Sequence, residues 1–176
     1  MSAPPKTILQ ATPEEAQAIR EAVRQAPLDG LGPFRVAANA AHAAALLDLL
    51  QDPAVSDPIY DLPRPLTLEN VARWIRQGED ERARGEGLLV LTQPPGALVM
   101  GYSKITVWPD RSAAELAGAL RAGLQGSGSG GAGATQTIGW IFNAPNVRCA
   151  GSPSAAKPGS SLDQHAAASV PPSCTH

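Results

Sequence analysis

Apolar positions recur with two different periods along this chain, and the changes of period divide it into elements. The run Thr12-Pro13-Glu14-Glu15 has the features of a helix start: threonine at the cap, proline at the first helical position, and a glutamate placed to close a capping box. The helix is predicted to reach about Gln25, where Pro27, Gly30, Gly32 and Pro33 break the chain. Residues 34–37 (FRVA) make a short strand candidate. A helix is expected from about Ala40 to Gln51, with Ala44, Leu47 and Leu50 on its apolar stripe, and Asp52-Pro53 stops it. The proline-rich stretch 53–65 reads as a loop. Thr67 then caps a second helix, with Leu68, Val71, Trp74 and Ile75 at helical spacing and a charged, solvated end from Arg76 to Arg84.

The period next shortens. Residues 87–92 (GLLVLT) form a continuous apolar run suited to a buried strand. The turn Gln93-Pro94-Pro95-Gly96 leads to residues 97–107 (ALVMGYSKITV), rich in β-branched and aromatic side chains, which predict a second strand antiparallel to the first. After the loop WPDRS come residues 113–120 (AAELAGAL) and then 130–143 (GGAGATQTIGWIFN). In the last of these, Ala134, Ile138, Ile141 and Phe142 fall on one helical face, although its glycines weaken the helix. Residues 149–176 are mostly Ser, Ala, Pro and Gly without apolar period, and their hydrophobic mass is too small to offset ordering, so they read as a disordered tail. The chain thus divides into an N-terminal helical extension (1–33), a globular region (34–148) and a Ser/Pro/Ala-rich tail (149–176).

Composition narrows the function more than the fold. The chain has 176 residues, enough for one domain with a real core. Its net charge of −2 gives no bulk attraction to nucleic acid or an anionic membrane. No run is long and apolar enough to span a bilayer, and the N-terminus lacks a secretory pattern, so the expected location is the cytosol. The two cysteines, Cys149 and Cys174, make no CxxC pair, and the three histidines lie far apart, so no metal site is expected.

The chemistry concentrates in Gln125-Gly126-Ser127-Gly128-Ser129-Gly130-Gly131. A phosphate cradle needs backbone N–H groups turned to one point, no Cβ atoms in the way, and a helix N-terminus behind. Alternating glycines before an amphipathic stretch supply all three. No acidic residue occurs between Glu115 and Asp163, whereas Arg121, Arg148 and Lys157 do. A flexible Gly/Ser linker would share this composition, but not its position between a strand-like and a helix-like run. A P-loop would place Gly-Lys-Ser/Thr here; the chain has Ala132-Gly133-Ala134. The dinucleotide pattern G-x-G-x-x-G matches at Gly126/Gly128/Gly131 and Gly128/Gly130/Gly133, but the acidic residue expected about twenty positions on is missing.

The order of strand, two helices, antiparallel strands and then Q-x-x-G-x-G opening a helix resembles the GNAT superfamily of N-acetyltransferases. Gln125, Gly128 and Gly130 match that motif as it stands. The branch most similar includes the ribosomal-protein N-terminal alanine acetyltransferases, whose fourth strand resembles residues 114–121 and whose second helix is preceded by text like LPRPLTLENVARWI. The resemblance covers roughly 34–148. It implies an α/β fold with a mixed, mainly antiparallel central sheet flanked by helices, and acetyl-coenzyme A as co-substrate. It further implies pyrophosphate held on the backbone of 126–131, and the pantetheine arm added beside the fourth strand near Leu116 and Ala117. Glu115 matches a position where relatives often carry a general base, and the acceptor would be an amine of a protein N-terminus or small molecule. The acceptor pocket would draw on 53–65 and 108–112.

After Asn146-Val147-Arg148, similar to the start of the family's fifth strand, the resemblance stops. The later strands, a helix and the general acid have no counterpart in 149–176, which reads as a truncation or a shifted reading frame, with an open sheet edge where the fifth strand should pair. Two readings follow: an N-acetyltransferase, or a partial domain that retains coenzyme A binding alone. A dinucleotide-binding module is a third.

Overall fold

The computed structural model describes residues 10–126 and 128–151. Five strands form one sheet in the order β1 (Arg35–Ala37), β2 (Gly87–Thr92), β3 (Gly101–Trp108), β4 (Ala113–Leu120) and β5 (Cys149–Gly151). The first four run antiparallel in sequence, and β5 joins β4 in parallel. A parallel neighbour requires a crossover, and here α5 (Ser129–Asn143) provides it. The remaining helices are α1 (Pro13–Gln25), α2 (Ala43–Leu50), α3 (Pro53–Ser56) and α4 (Leu68–Arg84). The chain therefore adopts the expected α/β class, a mixed, mainly antiparallel sheet flanked by helices.

Strand alternation sorts the apolar side chains into two layers. Leu88, Val90, Ile105, Val107, Ala114 and Leu116 face α1 and α5, where they meet Ile19, Val23, Trp140 and Ile141. Leu89, Leu91 and Tyr102 face α2 and α4, where they meet Leu46, Leu50, Val71 and Ile75. Each buried Leu, Ile or Val among them stabilises the fold by about 1.5–3 kcal/mol before entropy is counted.

The helix ends follow the sequence signals. Thr12 Oγ1 accepts from the amide of Glu15, and Thr67 Oγ1 accepts from that of Asn70. Gly85 ends α4 at φ 75, a left-handed position that suits glycine. Helix α1 is locked to the sheet's far end: Arg20 pairs with Asp110, Arg148 reaches Glu15 and the carbonyl of Gln10, and Ala11 N donates to Asp110 O.

Three boundaries differ from expectation. Within 53–65 a short helix, α3, forms because Asp52 Oδ1 accepts from Ala54 N and Pro53 takes the first helical position, so Asp52-Pro53 starts one helix as it stops another. Strand β3 begins at Gly101, not at 97, because Gly96 at φ 70 and the bond from Ala97 N to Pro94 O prolong the turn. The edge of β4, expected to be open, is closed over Ala113, Ala114 and Glu115 by β5, whose residues composition had put in the tail. So short a strand carries no period of its own. Its partner β4, and the bonds from Arg148 N and Cys149 N to Ser112 O, hold it. The rest of the tail, 152–176, lies outside the described residues.

Candidate functional site

Strand β4 pairs with β3 along all eight of its residues, but with β5 only at Ala113, Ala114 and Glu115. Among the described residues, no strand covers 116–120 on the side away from β3. That free edge opens into a cavity of about 650 Å³, and the chain after β4 turns around it. The side-chain amide of Gln125 donates to Leu120 O at 3.0 Å and holds the turn against the strand. Gly126 and Gly128 take φ values of 77 and 82, so glycine is required there by the backbone.

Gly128 occupies the cap position of α5 and, being glycine, brings no capping side chain of its own. The first turn carries no acidic residue. The first amides of a helix have no partner within it, and the dipole leaves them positive. An added Cβ would meet no protein atom within 4 Å at Gly126, Gly128 or Gly131. At Gly126 and Gly128 the left-handed backbone accounts for glycine; at Gly131 neither backbone nor packing does, whereas an anion lying on the backbone would. The residues fit the phosphates of coenzyme A.

A family model for the acetyltransferase (GNAT) domain matches residues 34–157. The chain belongs to the GNAT acetyltransferase family. Among solved structures it is similar to a ribosomal-protein-S5-alanine acetyltransferase from Vibrio fischeri, at 15% identity over 64% of this chain and 65% of that one, with a TM-score of 0.54. A ribosomal L7/L12 alpha-N-protein acetyltransferase in complex with coenzyme A is similar at 18% identity, over 62% of this chain and 64% of that one, also at 0.54. Such identities speak for the fold alone, and the chain spans about two thirds of the length of these two proteins. No curated protein sequence matches it.

In this GNAT domain the expected site residues divide. Leu116, Ala117, Gln125, Gly126, Gly128, Gly130 and Gly131 all line this cavity. Ser127 lies outside the described residues, and Ser129 opens α5. Glu115 is half-buried, pairs with Thr106 on β3 and Gly151 on β5, and does not line the cavity. Of the segments expected at the acceptor pocket, Ala54, Val55, Pro58 and Ile59 line the cavity and 108–112 do not.

The α4 side of the sheet carries a polar group of its own. Lys104 on β3 forms an ion pair with Glu81 of α4, both nearly buried. Burial lowers the Lys104 ammonium to about 8, against the opposing pull of Asp61. Tyr102 packs edge-on against Trp74, and burial, with Asp61 adding to it, raises its hydroxyl pKa. No helix of the described residues is long and apolar enough to cross a membrane, and none of their side chains group as a metal site.

Sequence reasoning missed Arg35, which lines the cavity from β1. The signal was a lone charge in an otherwise apolar strand. It became informative only once β1 was known to lie on the same sheet as β4.

Proposed function

We propose that the chain binds acetyl-coenzyme A beside β4 and transfers its acetyl group to an amine of a protein N-terminus or a small molecule. The observation that carries this reading is the edge of β4 at 116–120, which no strand among the described residues pairs on the side away from β3, beside the amino end of α5 with glycine at its cap. Residues of a free strand edge present N–H and C=O groups at the spacing of a strand, to which an amide-bearing arm adds as a further strand. Leu116 and Ala117 begin that edge. The amides of 126–131, Ser127 and Ser129 included, then meet the pyrophosphate.

The co-substrate supplies an activated acetyl thioester. The acceptor supplies the amine, and the chain must take up its proton. Glu115 is the group proposed to take the amine's proton, directly or through a water, as the N–C bond forms and the C–S bond breaks; the leaving thiolate then takes up a proton. The ribosomal acceptors of the two structural neighbours favour a protein N-terminus and a place of action in the cytoplasm.

A second reading, coenzyme A binding without turnover, is favoured by the position of Glu115 off the cavity. Calorimetric titration with acetyl-coenzyme A tests both. A folded sample that binds nothing overturns both. Binding without thiol release in the presence of amines supports the second.

A further inference from the structure

Beneath the amino-terminal half of α5, the sheet face changes character. It is apolar at Leu88, Val90, Ile105 and Leu116, but Arg35, Thr92 and Ser103 lie on the same face at its β1 end. Arg35 and Thr92 are direct partners across β1 and β2.

This polar floor is unsatisfied. Arg35 Nη1 donates to Ser103 Oγ at 3.3 Å, one bond for a group with five N–H donors. No carboxylate pairs with Arg35 among the described residues, although the guanidinium is partly buried, which disfavours its charge. Thr92 Oγ1 is buried with no hydrogen-bond partner. Buried polar atoms in folded chains are nearly always satisfied, so an orphan hydroxyl directly across the strands from an uncompensated cation marks a place where something anionic or strongly accepting belongs.

Space is available. Arg35 and Ser103 line the same cavity as the 125–131 loop. A Cβ on Gly133 would stand 3.2 Å from Arg35 Nη2, so the helix is bare where the guanidinium approaches it.

We propose that Arg35, oriented by Ser103, is a second phosphate contact in this cavity, clamping the pyrophosphate of coenzyme A from the sheet side while the α5 amides hold it from the other. The inference rests on the coenzyme A reading above. It adds a binding role for β1, which the glycine motif does not touch. Arginine suits the task because its planar fork meets two phosphate oxygens at once, which a lysine cannot reproduce.

The test is calorimetric titration of the wild type, Arg35→Met and Arg35→Lys with coenzyme A, with pantetheine, which lacks the phosphates, and with inorganic pyrophosphate. Methionine keeps most of the length and removes the charge, and lysine keeps a charge if methionine unfolds the domain. The expected result is a loss of about 10- to 100-fold in coenzyme A affinity for Arg35→Met, with partial retention for Arg35→Lys and no change toward pantetheine. Weaker pyrophosphate binding by the same variant would place the contact on the phosphates themselves. If the wild type binds coenzyme A and a folded Arg35→Met binds it equally well, the inference falls and the coenzyme A reading stands. Equal weakening toward pantetheine and coenzyme A also overturns it. A wild type that binds no coenzyme A removes the reading and the inference together.

Discussion

The side-chain amide of Gln125 donates to the carbonyl of Leu120 at 3.0 Å, tying the glycine loop to the last residue of β4. This bond fixes where the loop starts relative to the free strand edge. A single exposed hydrogen bond contributes about 0.5–1.5 kcal/mol, so Gln125→Ala should weaken coenzyme A binding by about 2- to 10-fold. The melting temperature should barely move. An unchanged dissociation constant by calorimetry would remove the positioning role.

Gly131→Ala should move stability and binding in opposite directions. Residue 131 lies in the first turn of α5, in open space, with no left-handed requirement. Alanine is a better helix former than glycine by about 0.5–1 kcal/mol, so the urea midpoint should rise. The same methyl group stands where phosphate would approach, and coenzyme A affinity should fall at least about 10-fold. A variant that is more stable and binds as well as wild type would show that the cradle lies elsewhere.

Glu115→Gln separates binding from turnover. The residue lies off the cavity, so coenzyme A affinity should be unchanged. If Glu115 takes the amine's proton, acetyl transfer should slow by about 10²- to 10⁴-fold, the usual range for a general base. Thiol release at the wild-type rate would sink the assignment.

Lys104 gives a pH dependence with a definite sign. Its folded value, lowered to about 8, lies below that of an unfolded lysine, near 10.5. Between these values the unfolded chain holds the proton that the folded chain has lost, so the Lys104 contribution to stability rises with pH across about 8 to 10.5. Tyr102 acts oppositely above about 10, where an unfolded tyrosine ionises first. Denaturant midpoints measured from pH 7.5 to 9.5 should therefore climb in the wild type relative to Lys104→Met. Parallel curves for the two proteins would contradict this.

Ile141→Ala tests the packing that holds α5 in place. Ile141 is fully buried between α5 and the sheet. The truncation should cost about 2–5 kcal/mol in chemical unfolding. A loss below about 1 kcal/mol would mean that α5 is not docked as described.

Much of this fold was legible because its long elements carry strong local signals. The Thr12-Pro13 cap, the Thr67 cap and the apolar run Gly87–Thr92 predict α1, the start of α4 and β2 at the positions observed. Elements set by tertiary partners were not legible. Cys149–Gly151 is a strand only because β4 lies beside it, and α3 hides in a sequence dense with proline. The candidate site divides the same way. The glycine loop is contiguous and could be read from spacing. Arg35 and Thr92, which stand across β1 and β2 from one another, are separated by α2, α3 and α4 in the chain and meet only through sheet register.

Helix α1 lies before residue 34, where the match to the family domain begins, yet its Ile19 and Val23 roof the same layer as Leu88, Ile105 and Val107. Anyone trimming the gene to the family's border would remove that roof, along with the partners of Asp110 and Arg148. The shortened polypeptide would bring an oily wall to water and clump on production. For expression and crystallisation, the working unit starts at or before Gln10.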